Sequence, residues 1–592
     1  MQGNEPMRLC ADIETNGLLR QDSPLIHCLV TQDLDTGQVV CYDDEGSDNE
    51  PIVTGIKYLM EADEVWGHNF LSFDTEFIRE IYPFFKPKKI YDTLILSRLF
   101  FTDLLDRDFR SKPANMPANL YGRASLESWG YRLGHYKSEF GKTTDWSEYS
   151  AEMLAYCIQD VAVNVELCKL FEPKLEQYKA CIETEHRLAE VMSWQEREGW
   201  DFDVRKAHEL ESKLRSELEV LSEQMRDTFH MVDGGQFTPK RPNQNKGYVE
   251  GATMTRLKEF NPTSRQHIAF AFQNFRGWKP RELTDTGRPK IDEKILTEIG
   301  TDESKKFARI LTLQKHLGQL SEGQNSWLKL AVKGKVHHSC VLNTNTGRQI
   351  HMRPNVAQTP SEREYRELWG PGKGRVQVGA DASGLELRCL GHYLALFDGG
   401  AFSKEVVEGD IHTKLAAIYN TPRSTGKSVT YAMIYGGSNF RIGLTAGASK
   451  QDAAKEGKRI RSAIMSGLDG FAELSKAIAT RAETGVLKAL DGRPIRLGNK
   501  TYAATNYLLQ SCGAILCKAW LLRSHELLQE AELDYRPLGF IHDEQQLSVH
   551  PNHAEQAAFL LVAAMKDVQK QFNFRCELDA ESVIGESWAD CH

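Results

Sequence analysis

At 592 residues the chain is too long for one hydrophobic core, so several domains are expected. A hydrophobic fraction of 41% and a charged fraction of 26% describe an ordinary globular protein, and no apolar run approaches the roughly 20 residues that span a bilayer. The formal charge of -9 does not exclude a polyanionic partner, because a ligand meets local basic strips rather than the net charge.

Met1-Gln-Gly-Asn-Glu-Pro6 has no basic segment followed by an apolar stretch, so no signal peptide is read. None of the 12 cysteines forms a Cys-x-x-Cys pair, which argues for reduced thiols in a cytoplasm, most of them small core residues. Up to about residue 185, Arg8–Asp12 and Ile26–Val30 read as strands, Trp66–Asn69 as a strand end entering a loop, and Glu152–Leu170 as a helix. That alternation predicts an α/β domain. From about 186 to 330 the pattern is helical, with Leu210, Leu214, Leu218, Leu221 and Met225 forming an apolar seam and Asp203 as N-cap. Gly234 to Lys246, rich in Gly, Pro, Asn and base, reads as an exposed loop or flexible insert. Helices resume after Arg265, and the remainder opens on a strand-like Val336–Leu342 before alternating again.

Arg375-Val-Gln-Val-Gly-Ala-Asp381 reads as a strand delivering an acid at its end, broken by Ser383-Gly384 and followed by a helix from Leu385 to Phe397. Gly539–Ile541 and Gln546–Val549 read as a hairpin with His542-Asp543-Glu544 at its bend. In-line phosphoryl transfer uses two divalent cations about 4 Å apart, and one carboxylate from each of two adjacent strands can bridge both. Asp381 and Asp543 are the candidates, although either alone is more often a surface acid at a strand end. Between them Arg423, Lys427, Tyr431 and Tyr435 recur every fourth residue, one stripe of a helix that Gly436-Gly437 would end. Cationic side chains neutralise triphosphate oxygens and rings stack on bases. Alone, the same stripe is a solvated basic face running into a packed aromatic one. Gly426-Lys427-Ser428 is not a Walker motif, because Thr421 stands where its first glycine is required.

In the first region Asp12-Ile-Glu14 puts two carboxylates on one face of a strand. Asn69-Phe-Leu-Ser-Phe-Asp74 adds a third, and Tyr156-Cys-Ile-Gln-Asp160 a fourth with a tyrosine one helical turn before it. Four acids can hold two metals, and a phenol can orient an attacking water. A lone Asp-x-Glu is usually a solvated strand.

Taken in order, Asp381-Ala-Ser-Gly-Leu-Glu386, the Arg423/Lys427/Tyr431/Tyr435 stripe and His542-Asp543-Glu544 resemble the three polymerase motifs of family A DNA polymerases, the bacterial polymerase I family. Thr346-Gly-Arg348, Pro354-Asn-Val-Ala-Gln358, Gly409-Asp-Ile-His412 and Gln510-Ser-Cys-Gly513 support the match. Phe260–Arg265, Asn573–Cys576 and Trp588–His592 narrow it toward the replicative polymerases of short-tailed bacteriophages. The first-region acids and Tyr156 resemble the 3′–5′ proofreading exonucleases of the DEDDy type.

The resemblance implies an α/β and α+β multidomain chain, an RNase H-like exonuclease domain followed by a right-hand polymerase. The exonuclease domain would occupy 1–185, the thumb 186–330 with a short basic loop about 228–259, the palm 331–411 and 506–592, and the fingers 412–505. Two Mg2+ per active site, with Mn2+ as a substitute, would be held by Asp381, Asp543 and the Ala382 carbonyl in one site, and by Asp12, Glu14, Asp74 and Asp160 in the other. Glu544 and Tyr156 would assist catalysis. His412, Arg423 and Lys427 would hold the incoming dNTP, with Tyr431 and Glu386 beneath its sugar, where a ribose 2′-OH would clash. Tyrosine at 431 implies tolerance of dideoxynucleotides. Arg348, Asn355, Gln358, Arg388, Tyr435, Gln510 and His542 would touch primer-template DNA, the minor-groove contacts checking pair geometry without reading sequence.

The implied function is replicative DNA-directed DNA synthesis with proofreading, serving phage genome replication in the cytoplasm of an infected bacterium, with a helicase-primase as a suggested partner. The best-known phage enzymes recruit thioredoxin through a long basic thumb insert. The shorter segment here, with Lys240, Arg241 and Lys246, leaves that partner open. A single-subunit RNA polymerase and a non-catalytic DNA-binding scaffold are the alternatives. Glu386 and the full exonuclease set argue against the first, and intact metal ligands against the second.

Overall fold

The computed structural model describes residues 6–20, 22–46, 48–135, 144–341 and 344–591; of the residues used above, Met1–Glu5, Leu342 and His592 lie outside these. The chain forms two compact units. One runs to Trp200 and includes His338–Thr359 and the chain from Gly370 onward, and the other comprises Asp201–His337 and Pro360–Trp369.

The first unit begins with a mixed sheet of β1 (Arg8–Thr15), β2 (Ile26–Asp33), β3 (Val39–Asp43), β4 (Glu64–Gly67) and β5 (Ile90–Asp92), in the order β3-β2-β1-β4-β5. β1 pairs antiparallel with β2 and parallel with β4, and is buried on both faces. Alternate side chains therefore enter two different cores. Leu9, Ala11 and Ile13 pack with Ile56 and Leu59 of α1 (Ile52–Glu61) and Phe77 of α2 (Asp74–Ile81). Cys10 packs on the opposite face with Leu96 of α3 (Thr93–Phe100) and Cys157 and Val161 of α4 (Ala151–Phe171). Asp12 and Glu14 share the Cys10 face by the same alternation. Next comes α5 (Lys179–Glu198).

In the second unit Asp203 caps α6 (Val204–Phe229), accepting the Lys206 N–H at 2.9 Å, a bond worth about 1 kcal/mol. Leu210, Leu214 and Met225 of the expected seam are buried. The segment expected to be a loop differs. Met231–Phe237 (β6) and Met254–Glu259 (β7) form an antiparallel hairpin, with Gly234 and Gly235 in a bulge between Asp233 and Gln236. Val232 is the one buried residue of β6, so the alternation that announces a strand never reaches the sequence. Lys240, Arg241 and Lys246 lie exposed in the connection between the two strands. Arg309 of α7 (Asp302–Leu317) forks onto Glu217 of α6 at 2.6 and 2.7 Å.

The expected strand Val336–Leu342 is split into Lys335–Val336 and Ser339–Val341, the latter pairing with Ile350–Met352. The chain then builds β8 (Val376–Ala382), α8 (Leu385–Asp398), α9 (Ile411–Tyr419), α10 (Arg423–Ile434), α11 (Ala504–Glu530), β9 (Tyr535–Ile541), β10 (Glu544–Val549) and β11 (Ala580–Gly585). The strands form an antiparallel sheet in the order β9-β10-β8-β11. α11 is apolar on every side and is accordingly enclosed, with Leu509, Cys512, Leu516 and Trp520 buried. Its Lys518 is buried too, and its ammonium donates to both oxygens of Glu185 on α5 at 2.7 and 2.9 Å. Arg493 donates to the same carboxylate and also pairs with Asp491 at 2.6 Å. Among the described residues no helix is long and apolar enough to cross a membrane.

Candidate functional site

β8 ends where β10 begins. Asp381 stands opposite Glu544 in the register, and the Ala382 N–H donates to the Asp543 carbonyl at 3.0 Å. Two left-handed residues shape this end of the sheet. Gly384, at φ 57°, breaks β8 and starts α8, and His542, at φ 62°, turns β9 into β10. Asp381 and Asp543 thus reach one sheet end, joined there by Glu386 from the first turn of α8. Burial pushes the Asp543 carboxyl above its ordinary value, and the charge of Glu386 adds to this. A hard oxygen donor whose ionisation is opposed by burial fits a divalent cation. Glu544 is placed differently: it is buried and accepts the Trp588 indole N–H and the Gln546 amide N–H, each at 2.6 Å.

Arg423, Lys427 and Tyr431 form the expected stripe on α10, while Tyr435 caps the helix before Gly436 turns the chain at φ 74°. Gly426, rejected as part of a Walker motif, has a packing reason. A Cβ there would lie 2.6 Å from that of Ala416, so glycine lets α10 close on α9. α9 contributes His412, whose imidazole is held below its ordinary value by burial and by the charges of Lys427 and Arg423. Asp410 caps α9 and pairs with Arg423 at 2.7 and 3.1 Å. Both partners are about half exposed, so solvent screening leaves this pair weak. A polyphosphate offering several charge-assisted bonds would displace it.

Tyr431 lies between His412 and Tyr435, with ring centroids 6.3 Å from each. Burial, then the charges of Glu386 and Asp543, raise its phenol. Glu386 accepts the Tyr435 hydroxyl and pairs with Arg348 at 3.7 Å, so Tyr435 rather than Tyr431 holds it. Arg348, His542 and Asp543 line one small cleft with Leu385, Gly513 and Phe540. Asn355 and Gln358 are exposed at a short turn, and Gln510 is half-buried on α11. Arg388 is tied to the backbone, its Nε–H donating to the Ser383 carbonyl at 2.6 Å and its guanidinium also to that of Glu577.

A second acidic cluster lies on the N-terminal sheet. One oxygen from each of Asp12 and Glu14 and the Cys157 sulfur lie within 4.8 Å of one another. Asp74, at the start of α2, accepts the Ile13 N–H at 3.3 Å between those two acids. Burial, with the charge of Asp92 adding to it, pushes the Asp74 carboxyl up to about 8. Asp160 is buried on α4 one turn beyond Cys157, and Tyr156 is half-buried beside the Trp146 ring.

Three contributors escaped the sequence reading: Asp92, Cys157 and Asp410. Asp92 accepts backbone N–H groups from Asn69, Leu71, Leu94 and Ile95, holding the loop that carries Asp74. Its N–H in turn donates to His186 Nε2 at 2.8 Å. An aspartate opening the apolar run of α3 is an N-cap signal that could have been found. The thiol of Cys157 had none.

A palm-like antiparallel sheet with paired acids at its end, facing a cationic and aromatic helix, defines a nucleotidyl-transfer class of site. Residues 242–590 match the family model for DNA polymerase family A, and the chain belongs to that family. It is 31% identical to the DNA-directed DNA polymerase of Escherichia phage T7, over 99% of this chain and the whole of that protein. The same figures hold for the DNA-directed DNA polymerase of Enterobacteria phage T3. The fold matches the POL domain of Pol1 from M. smegmatis, solved with DNA primer-template and dNTP, with a TM-score of 0.74 at 14% identity over 99% of this chain and 96% of that one.

Proposed function

We propose that this chain is a replicative DNA-directed DNA polymerase of a phage, extending a primer on a DNA template and editing with a 3′–5′ exonuclease in its N-terminal sheet. The observation that carries the synthetic role is the meeting of Asp381 and Asp543 at one sheet end. The cationic stripe of α10 supports it as the dNTP side of the site. Two Mg2+ would be held by Asp381, Asp543 and the Ala382 carbonyl; when bound they supply activation of the attacking oxygen and charge for the leaving one. Arg423, Lys427 and His412 bind the triphosphate in this reading, Tyr431 and Glu386 sit below the sugar, and Glu544 acts as a positioning residue. Primer extension with deoxy- against ribonucleotides tests it. Ribonucleotide incorporation as efficient as deoxynucleotide incorporation would mean a different enzyme.

Lys427→Ala is expected to lower kcat/KM for dNTP by roughly a hundredfold, about 2.7 kcal/mol of lost triphosphate stabilisation. Steady-state extension measures it, and a change under threefold would remove Lys427 from the triphosphate site.

Editing is assigned to Asp12, Glu14, Asp74 and Asp160, with Tyr156 orienting water. Crowded acids, of which Asp74 is pushed up by burial, fit divalent cations here as in the palm. Asp12→Ala/Glu14→Ala should reduce digestion of single-stranded primer by at least roughly a thousandfold while leaving extension intact. Undiminished digestion would place the nuclease elsewhere.

The exposed connection between β6 and β7 is assigned to duplex phosphates. Replacing Lys240, Arg241 and Lys246 by alanine should flatten the logarithmic salt dependence of primer-template affinity by up to about 2.7. An unchanged slope would free this hairpin for another partner, and processivity with and without thioredoxin would then identify or exclude that one.

A further inference from the structure

Beneath the His542–Asp543 turn lies a cluster that neither set of acids uses. Ser339–Val341 pairs with Ile350–Met352, placing Cys340 directly opposite His351. His338 lies two residues before Cys340, just outside that strand. His338 and His351 are 1% and 3% exposed, and Cys340 is half-buried. One ring nitrogen from each histidine and the Cys340 sulfur all lie within 4.8 Å of one another, with His351 Nδ1 at 3.3 Å from the sulfur. Tetrahedral zinc, bound at about 2.3 Å to sulfur and about 2.05 Å to nitrogen, sets those two atoms about 3.6 Å apart. The Cys340 and His351 donors are therefore already near the spacing of two ligands of one ion, with a His338 nitrogen within 4.8 Å of both.

Two buried polar atoms beside the cluster are unpaired. His351 Nε2 and Gln195 Oε1 are buried and have no hydrogen-bond partner among the described residues. The Gln195 amide nitrogen lies 3.1 Å from His338 Nε2. Rotating that amide by half a turn lets its oxygen accept an N–H from the ring, which orients the other ring nitrogen as a metal ligand. The donor set contains no carboxylate. Two imidazoles and a thiolate select a borderline-soft ion such as zinc over magnesium.

We propose that His338, Cys340 and His351 form a structural zinc site under the His542–Asp543 turn, separate from both carboxylate sites. Binding breaks the Cys340 S–H bond, releases its proton to solvent and forms a metal–sulfur bond without change of oxidation state. The fourth position falls to water. The His351 ring meets that of His542 edge to face at 5.7 Å, so an ion here stiffens the floor under the residue that precedes Asp543.

The test uses the full chain carrying Asp12→Ala/Glu14→Ala, which removes the other thiol-containing cluster. After zinc loading and exhaustive dialysis, metal content is measured by atomic absorption. The site predicts one zinc per chain in this parent, and none above background once Cys340→Ser or, independently, His338→Gln is added. Cobalt loading should give a near-ultraviolet thiolate charge-transfer band that Cys340→Ser abolishes. Zinc should also slow amide exchange in 339–341 and 350–352 in the parent alone. Circular dichroism identifies a variant that fails to fold, and the other variant then decides. A parent that retains no zinc, folded variants that retain as much as the parent, or a cobalt adduct without the thiolate band would each overturn the proposal.

Discussion

Asp543→Asn is expected to abolish primer extension, with kcat reduced by at least roughly a thousandfold, equivalent to about 4 kcal/mol of transition-state stabilisation. The same is expected of Asp381→Ala. The two acids come from adjacent strands tied together by the Ala382–Asp543 backbone bond, and the asparagine keeps that bond while removing the charge. The exonuclease activity proposed above should survive, since Asp12 and Glu14 belong to another sheet.

Stability should move the other way. The folded Asp543 carboxyl is raised by burial and by Glu386, so the folded state binds more protons than the unfolded one between the unfolded and folded values. Without metal, stability is full below the unfolded value near 3.9 and declines as pH rises through the folded one. Asp543→Asn removes that decline, so the metal-free variant should melt at or above the parent at neutral pH. Single-turnover extension and melts in chelator measure both halves. Extension within tenfold of the parent would remove Asp543 from the metal site.

Glu185→Gln is the second large effect, with an expected loss of about 3–5 kcal/mol. Burial opposes ionisation of Glu185, but Lys518 and Arg493 outweigh it and hold the carboxyl below its ordinary value. Neutralising it takes from the buried Lys518 ammonium the carboxylate it donates to, whereas Arg493 keeps Asp491. Lys518→Met should cost less, because Arg493 still answers the carboxylate. Glu185→Met/Lys518→Met should recover much of the loss, as apolar replacements of buried ion pairs do. In wild type the contribution is present above the unfolded value near 4.3 and is lost as pH falls below it. Denaturant midpoints, read with amide exchange along α5, check this. A shift under about 1 kcal/mol would mean that water reaches the cluster.

These two sites were unequally legible in the sequence. Asp381 was readable because a strand pattern stops at Ser383-Gly384, and the α10 stripe because four-residue spacing needs no tertiary information. Chain direction also made the bend at His542–Asp543 visible. The Glu185 cluster was invisible: three of its members, Glu185, Arg493 and Lys518, span 333 residues between the first and last, and a lysine in an apolar helix reads as a surface residue until its surroundings are known. The β6–β7 hairpin was missed for the opposite reason. It buries so little that composition alone resembles a loop.

By itself the sequence determined the acids, the cationic stripe and the family they resemble, because those depend on residue type and short spacing. Tertiary structure alone decided which partner each group meets. It gave Glu386 to Tyr435 and Arg348, Glu544 to Trp588, Arg423 to Asp410, and His338 and His351 to Cys340. The physical reason is that ionisation, hydrogen bonding and metal affinity are set by atoms within a few ångströms. Which atoms those are follows from packing between segments that are distant along the chain.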